Sequence, residues 1–203
     1  MPMPETGIRL PFYLRLWYDG GKNCERGECS VELALLNWIQ LHLRCGLLDA
    51  LMPAVSRICD HGEIWILLAA VLLLLPRTRR AGACLACGLL LDLLLCNLCL
   101  KPLFGRPRPF TAADVTLLVP PPLDASFPSG HTASSFAAVS ALRGAGSPLW
   151  RPALALAAVI AVSRLYLYVH WPTDILGGIL TGILAGRLGA WLIRRLCDRA
   201  ARR

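Results

Sequence analysis

Three short stretches of this chain carry residue types that could do chemistry together. Lys101-Pro-Leu-Phe-Gly-Arg106-Pro-Arg108-Pro109 mixes cations with prolines that hold the backbone extended. Guanidinium forks held stiffly suit bidentate contact with phosphate, and a lysine adds a point charge. Phe127-Pro128-Ser129-Gly130-His131-Thr132 places a serine where a helix cap is favoured, then glycine, then histidine. Free amides at a helix N-terminus, with glycine permitting close approach, make an anion site, and His131 in that first turn lies beside the anion. In Ser163-Arg164-Leu-Tyr-Leu-Tyr-Val-His170-Trp-Pro-Thr-Asp174, Pro172 suits the first position of a helix, so Asp174 falls in its first turn. His170 and Asp174 can meet if the intervening turn folds back. A carboxylate bonded to one imidazole nitrogen fixes the tautomer and leaves the other nitrogen free to attack.

Each stretch alone has a plainer reading. The first could be a basic anchor for lipid headgroups, and the second an ordinary capped helix with an interfacial histidine. In the third, Asp174 could simply answer the helix dipole beside a solvated histidine. All three on one face of one molecule would point instead to phosphoryl transfer.

The elements that must position them are apolar. The chain has 203 residues, 56% hydrophobic and 17% charged, with a mean hydropathy of +0.54; soluble domains carry about 25% charged residues. Ile64–Pro76, Ala81–Leu100 and Ile175–Ile193 carry at most one charge each. Runs of roughly 20 apolar residues match a hydrocarbon core of about 30 Å. The expected fold is an all-α, polytopic membrane helical bundle with about six transmembrane helices. Residues 31–58 have a helical apolar period interrupted by His42, Arg44 and Asp49; they read as one tilted span or as an interfacial helix followed by a partial one, and the count of six takes them as one crossing. Further helices are expected from about Ile64 to Leu75, Ala81 to Leu100, Ser129 to Leu142, Leu149 to Tyr168 and Pro172 to Arg195. The Pro-rich segment from Lys101 to Pro128 cannot be helical throughout. Residues 1–30 form a polar, interfacial segment with no signal-peptide pattern, and 31–203 form the membrane domain, with its motifs at 101–109, 128–131 and 163–174.

The net charge of +8 is read as topological rather than as a nucleic-acid surface. Its arginines gather at 77–80, at 143 and 151, and at 194–203, where apolar runs end and the positive-inside rule puts cytoplasmic loops. Alternation then puts 59–63, 101–128 and 163–174 together on the opposite, extracytoplasmic face. Cys84-x-x-Cys87 and Cys96-x-x-Cys99 have metal-ligand spacing, but they sit among leucines, where cysteine acts as a small hydrophobe. No metal and no cofactor are expected. Cys24 and Cys29 are close enough in the polar N-terminal segment to pair or to stay free.

Lys101-x6-Arg108-Pro109, Pro128-Ser129-Gly130-His131 and Ser163-Arg164-x5-His170-x3-Asp174, in that order, resemble the three-part signature of the type 2 phosphatidic acid phosphatase superfamily. The resemblance implies that His170 attacks phosphorus and forms a phosphohistidine, with Asp174 orienting it. It implies that His131 protonates the leaving oxygen and then activates water. Lys101, Arg108, Ser129, Gly130 and Arg164 would hold the equatorial oxygens, in the place magnesium has in other phosphoryl transfers. Arg106 is extra to the pattern and is assigned only to headgroup attraction. The short chain resembles small bacterial members acting on undecaprenyl diphosphate. Phosphatidylglycerol phosphate, phosphatidate and a shorter isoprenyl diphosphate are the nearest competing substrates in a cell membrane. A lipid transporter or flippase, using Asp92 and Asn97 as a pathway, is the reading from a different class. A silent lipid-binding protein is disfavoured by the presence of His131, His170 and Asp174.

Overall fold

The computed structural model describes residues 31–200, and all of its regular structure is helical. The N-terminal segment with Cys24 and Cys29 lies outside the described residues. Helices α1 (Val31–His42) and α2 (Gly46–Arg57) are separated by a short break in which Arg44 bridges Gln40 and Asp49. Residues 31–58 are therefore two helices rather than one tilted span. Each has 12 residues, about 18 Å at the usual rise, which is short of a bilayer core. Helix α3 (Glu63–Leu74) follows a single 3-10 turn at Asp60–Gly62.

Helix α4 (Arg79–Asp92) runs on through a π-helical stretch, Leu93–Leu100, into the short α5 (Lys101–Phe104). This continuous body ends at Gly105, whose φ of 52° is left-handed and suits a residue without Cβ. π-helical segments recur at functional sites because they re-aim side chains. Here the stretch sets the register of Asp92, Asn97 and Lys101. Helices α6 (Gly130–Gly144), α7 (Trp150–Tyr166) and α8 (Pro172–Ala200) complete the bundle, and their bounds lie close to the sequence expectation. Two helical bodies, the one that starts at Arg79 and Pro172–Ala200, are long and apolar enough to cross a membrane.

Packing centres on α6, which lies against α8 on one side and α4 and α7 on others. Gly178, Gly182 and Gly186 recur every fourth residue along α8 and face α6. A Cβ on Gly182 would lie 2.2 Å from the Ala133 carbonyl oxygen, and one on Gly186 2.3 Å from that of Ala137. Only glycine permits this approach, the small-xxx-small device of membrane helices. Ala133, Ala137, Ala138 and Ala141 of α6 are fully buried in consequence. Trp65 of α3 closes the core and donates its Nε1–H to Ser135 Oγ at 3.0 Å. Tight packing fixes the N-termini of α6 and α8 beside one another, and both motif histidines sit there.

Candidate active site

His170 lies between α7 and α8, and the turn that brings it back is built by Tyr168. That residue has a φ of 60°, in the left-handed region that most side chains avoid. Burial of its ring and a hydrogen bond from its hydroxyl to Asn37 Oδ1 at 2.7 Å hold it there. The chain then re-enters a helix at Pro172, as its ring predisposes it to do. Nδ1 of His170 faces Asp174 Oδ2 at 3.4 Å, and both side chains are buried. Arg108 contributes an N–H 3.2 Å from His170 Nε2. A guanidinium can only donate, so Nε2 carries the lone pair and Nδ1 the proton. The free nitrogen therefore points at the cations. Burial, reinforced by the charges of Arg108 and Arg164 against the pull of Asp174, depresses the His170 pKa to about 3. Above that value the ring is neutral, with a lone pair on Nε2.

Asp174 is held on every side. Its Oδ2 accepts from Trp171 N at 2.8 Å and from the Ser126 hydroxyl, besides facing His170. Its Oδ1 accepts from Arg106 at 2.7 Å. The same guanidinium donates to Thr173 Oγ1 at 2.6 Å and Glu32 Oε2 at 2.7 Å, and it lies 5.3 Å from the centre of the Trp171 ring. Glu32 in turn accepts from the Thr173 amide and hydroxyl. Arg106 is thus tied to the carboxylate behind the histidine, a set of contacts that its reading as a headgroup attractor did not include. Its spacing in the sequence did not show this because the partners, Glu32 and Thr173, are far away in the chain.

His131, in the first turn of α6, has Nε2 2.9 Å from Asp60 Oδ1. The Asp60 carboxylate accepts a hydrogen bond from Nε2–H, which leaves Nδ1 as the ring nitrogen available to a ligand. Asp60 was legible only as part of a polar break between apolar runs. Ser129 occupies the N-cap position of α6, but its side chain does not cap the helix amides; its Oγ accepts instead from Thr132 Oγ1 at 3.0 Å. Gly130 packs near Lys101, since a Cβ there would stand 3.5 Å from Nζ and from Asn97 Oδ1.

The remaining cations converge on the same place. Lys101 Nζ pairs with Asp124 Oδ2, and Arg108 pairs with Asp124 Oδ1 at 2.6 Å while its Nε donates to the Asp124 carbonyl at 2.9 Å. Burial would raise the Asp124 pKa, but these two cations outweigh it and hold the carboxyl down at about 2. A carboxylate therefore rests on two of the groups expected to hold phosphate. Arg164 is buried at 4% exposure and donates to the Ser56 hydroxyl, yet its Nε has no partner among the described residues. A buried guanidinium with an unused donor is costly unless an anion completes it.

Lys101, Arg108, His131, Arg164 and His170 all line one cavity of about 970 Å³. Ser129 and Asp174 sit immediately behind it. Away from the cations the lining becomes apolar, with Ile66, Ala69, Ala86, Leu89, Leu90 and Leu93. The residues expected at 59–63, 101–128 and 163–174 are thus brought together. The arrangement offers a neutral imidazole nucleophile, a second histidine on a carboxylate, three cations and an apolar extension.

Comparison with known proteins agrees with this geometry. A family model described as the PAP2 superfamily matches residues 81–197. The chain is 33% identical over 166 residues to an undecaprenyl-diphosphatase from Sulfolobus acidocaldarius, covering 80% of this chain and 74% of that one. It is 33% identical over 165 residues to a decaprenylphosphoryl-5-phosphoribose phosphatase from Mycobacterium tuberculosis, covering 80% and 89%. Among solved structures, Aquifex aeolicus LpxE superposes with a TM-score of 0.67 and 29% identity, over 80% of this chain and 96% of that one.

Proposed function

The chain belongs to the PAP2 superfamily and is a membrane lipid phosphatase, and we propose that it removes the terminal phosphate of undecaprenyl diphosphate through a phosphohistidine on His170. The observation that carries the phosphoryl chemistry is the buried, incompletely partnered Arg164 facing His170 across the same cavity as Lys101 and Arg108. A terminal phosphate entering there displaces Asp124 and takes up the donors of Lys101, Arg108 and Arg164, with Ser129 and the Gly130 amide on its remaining oxygen. His170 Nε2 attacks phosphorus in line. The phosphorus–oxygen bond to the lipid phosphate breaks as His131 protonates the leaving oxygen. Asp174 offsets the positive charge that builds on His170. Water, deprotonated by His131, then attacks phosphorus, breaks the phosphorus–nitrogen bond and restores His170.

Positioned cations supply the charge stabilisation, so turnover needs no divalent metal. The apolar end of the cavity suits a lipid tail and fits the polyprenyl substrate named for the relative from Sulfolobus. We place the site at the extracytoplasmic face of a multi-pass protein in the cell membrane, because the arginine-rich ends of the helices lie away from it. The count of six crossings belongs to this same reading. A transporter would need polar groups through to the far face. Asp92 and Asn97 line the phosphatase cavity instead.

Purified full-length protein should be assayed for phosphate release from undecaprenyl diphosphate, phosphatidate and phosphatidylglycerol phosphate, beside His170→Ala. Undecaprenyl diphosphate should give the highest kcat/KM and His170→Ala should be inactive. A preference for either glycerolipid would overturn the substrate assignment, and equal release by the variant would overturn the nucleophile.

A further inference from the structure

A second cavity, of about 580 Å³, opens between α6, α7 and α8 at the end of the bundle away from His170. Asp174 and Arg194 are twenty residues apart on α8, which at the usual rise is about 30 Å, the thickness of a hydrocarbon core. The cavity therefore lies near the opposite membrane surface. Its inner part is apolar, with Phe136, Val139, Leu154 and Ile183. Its rim carries Arg143, Arg187 and Arg194 with Trp150 and Trp191, and no acidic residue lines it.

The three arginines make no hydrogen bond or ion pair with a described residue, although Arg143 stacks on Trp150 at 5.3 Å. Arg187 and Arg194 lie seven residues apart and so share a face of α8, with Trp191 between them. An apolar slot ending in unpaired cations and flanked by interfacial tryptophans has the chemistry of one ligand class, a lipid with an anionic headgroup.

We propose that this cavity binds an anionic glycerophospholipid of the surrounding bilayer, with its phosphate on Arg143, Arg187 and Arg194 and one acyl chain between α6, α7 and α8. The site is separate from the phosphatase centre and does not depend on the substrate assigned to that centre. Charge complementarity decides for an anionic lipid over a neutral one, because three clustered guanidiniums repel one another until an anion joins them. The apolar slot decides for a lipid over free phosphate.

The test uses the full chain, purified in detergent and equilibrated with phosphatidylglycerol or phosphatidylcholine, with retained lipid read by native mass spectrometry. Wild type should retain phosphatidylglycerol at least tenfold more than phosphatidylcholine. Arg187→Gln and Arg194→Gln should each weaken retention roughly fivefold, the scale of one basic residue at an anionic surface. Leu154→Trp, which fills the slot and leaves the arginines in place, should also reduce it. Two variant classes, each checked for an unchanged melting temperature, separate loss of binding from loss of fold. Equal retention of the two lipids, or retention of phosphatidylglycerol unchanged in all variants, would overturn the proposal. So would a wild type that binds no lipid and is dimeric through this face.

Discussion

Replacing Arg106 with glutamine should lower kcat roughly 10- to 100-fold while KM stays within about twofold. Asp174 Oδ2 has three neighbours that donate to it, but among the described residues Oδ1 is served by Arg106 alone, at 2.7 Å. Asp174 is fully buried, so losing that donor leaves a carboxylate oxygen without a partner. Such a loss costs about 1–3 kcal/mol, or roughly 5- to 150-fold in rate if it falls on the transition state. It falls there because Asp174 is needed most when His170 becomes cationic during attack. Glu32, 2.7 Å from the same guanidinium, would be left facing Asp174 with no cation between them. Arg106→Gln with Glu32→Gln should therefore recover part of the lost rate. Arg106→Lys should be intermediate, since an ammonium cannot span Asp174, Thr173 and Glu32 at once. The assay is steady-state phosphate release with thermal unfolding followed in parallel. A raised KM at unchanged kcat would show Arg106 acting as a headgroup attractor and refute the bracing role.

Further outcomes follow from the same geometry. His170, depressed to about 3 by burial, is unprotonated well below neutrality, so its own acid limb in kcat/KM should lie near pH 3. Because an unfolded histidine titrates near 6.5, the unfolded chain binds the extra proton between about pH 3 and 6.5. The His170 contribution to stability should accordingly decline as pH falls through that window, and His170→Gln should flatten the decline in unfolding experiments. Asp124→Asn frees Lys101 and Arg108 from their carboxylate and should tighten inhibition by inorganic phosphate several-fold; unchanged or weaker inhibition would contradict its resting position on those cations. Gly182→Leu should lower the melting temperature in detergent sharply, because its first side-chain atom would already lie 2.2 Å from the Ala133 carbonyl. EDTA should leave activity intact; abolition by EDTA and recovery with magnesium would refute the cation-only site.

Much of the site was legible because the motif residues are held by local rules. Pro172 opening α8 and the helix start at Ser129-Gly130-His131 depend on cap and N1 preferences that act over a few residues. Apolar run lengths likewise placed α3, α7 and α8 to within about five residues, and the start of α4. Partners supplied from a distance were not legible. Glu32 reaches Arg106 across 74 residues and Asp60 reaches His131 across 71, and neither has a spacing that marks it. The sequence left 31–58 between one tilted span and two helices, because His42, Arg44 and Asp49 interrupt the apolar period without saying whether the helix stops there; the structure has two. The π-helical register at Leu93–Leu100 leaves no trace in composition. The glycines at 178, 182 and 186 were a missed signal, as their four-residue spacing announces close helix contact.

The central claim is that His170 becomes covalently phosphorylated during turnover. Mixing purified protein with undecaprenyl diphosphate radiolabelled in its terminal phosphate, quenching within one turnover and mapping the labelled peptide tests it directly. The account predicts label on His170 in wild type and no labelled protein in His170→Ala. Label on another residue, or equal labelling of His170→Ala, would contradict it.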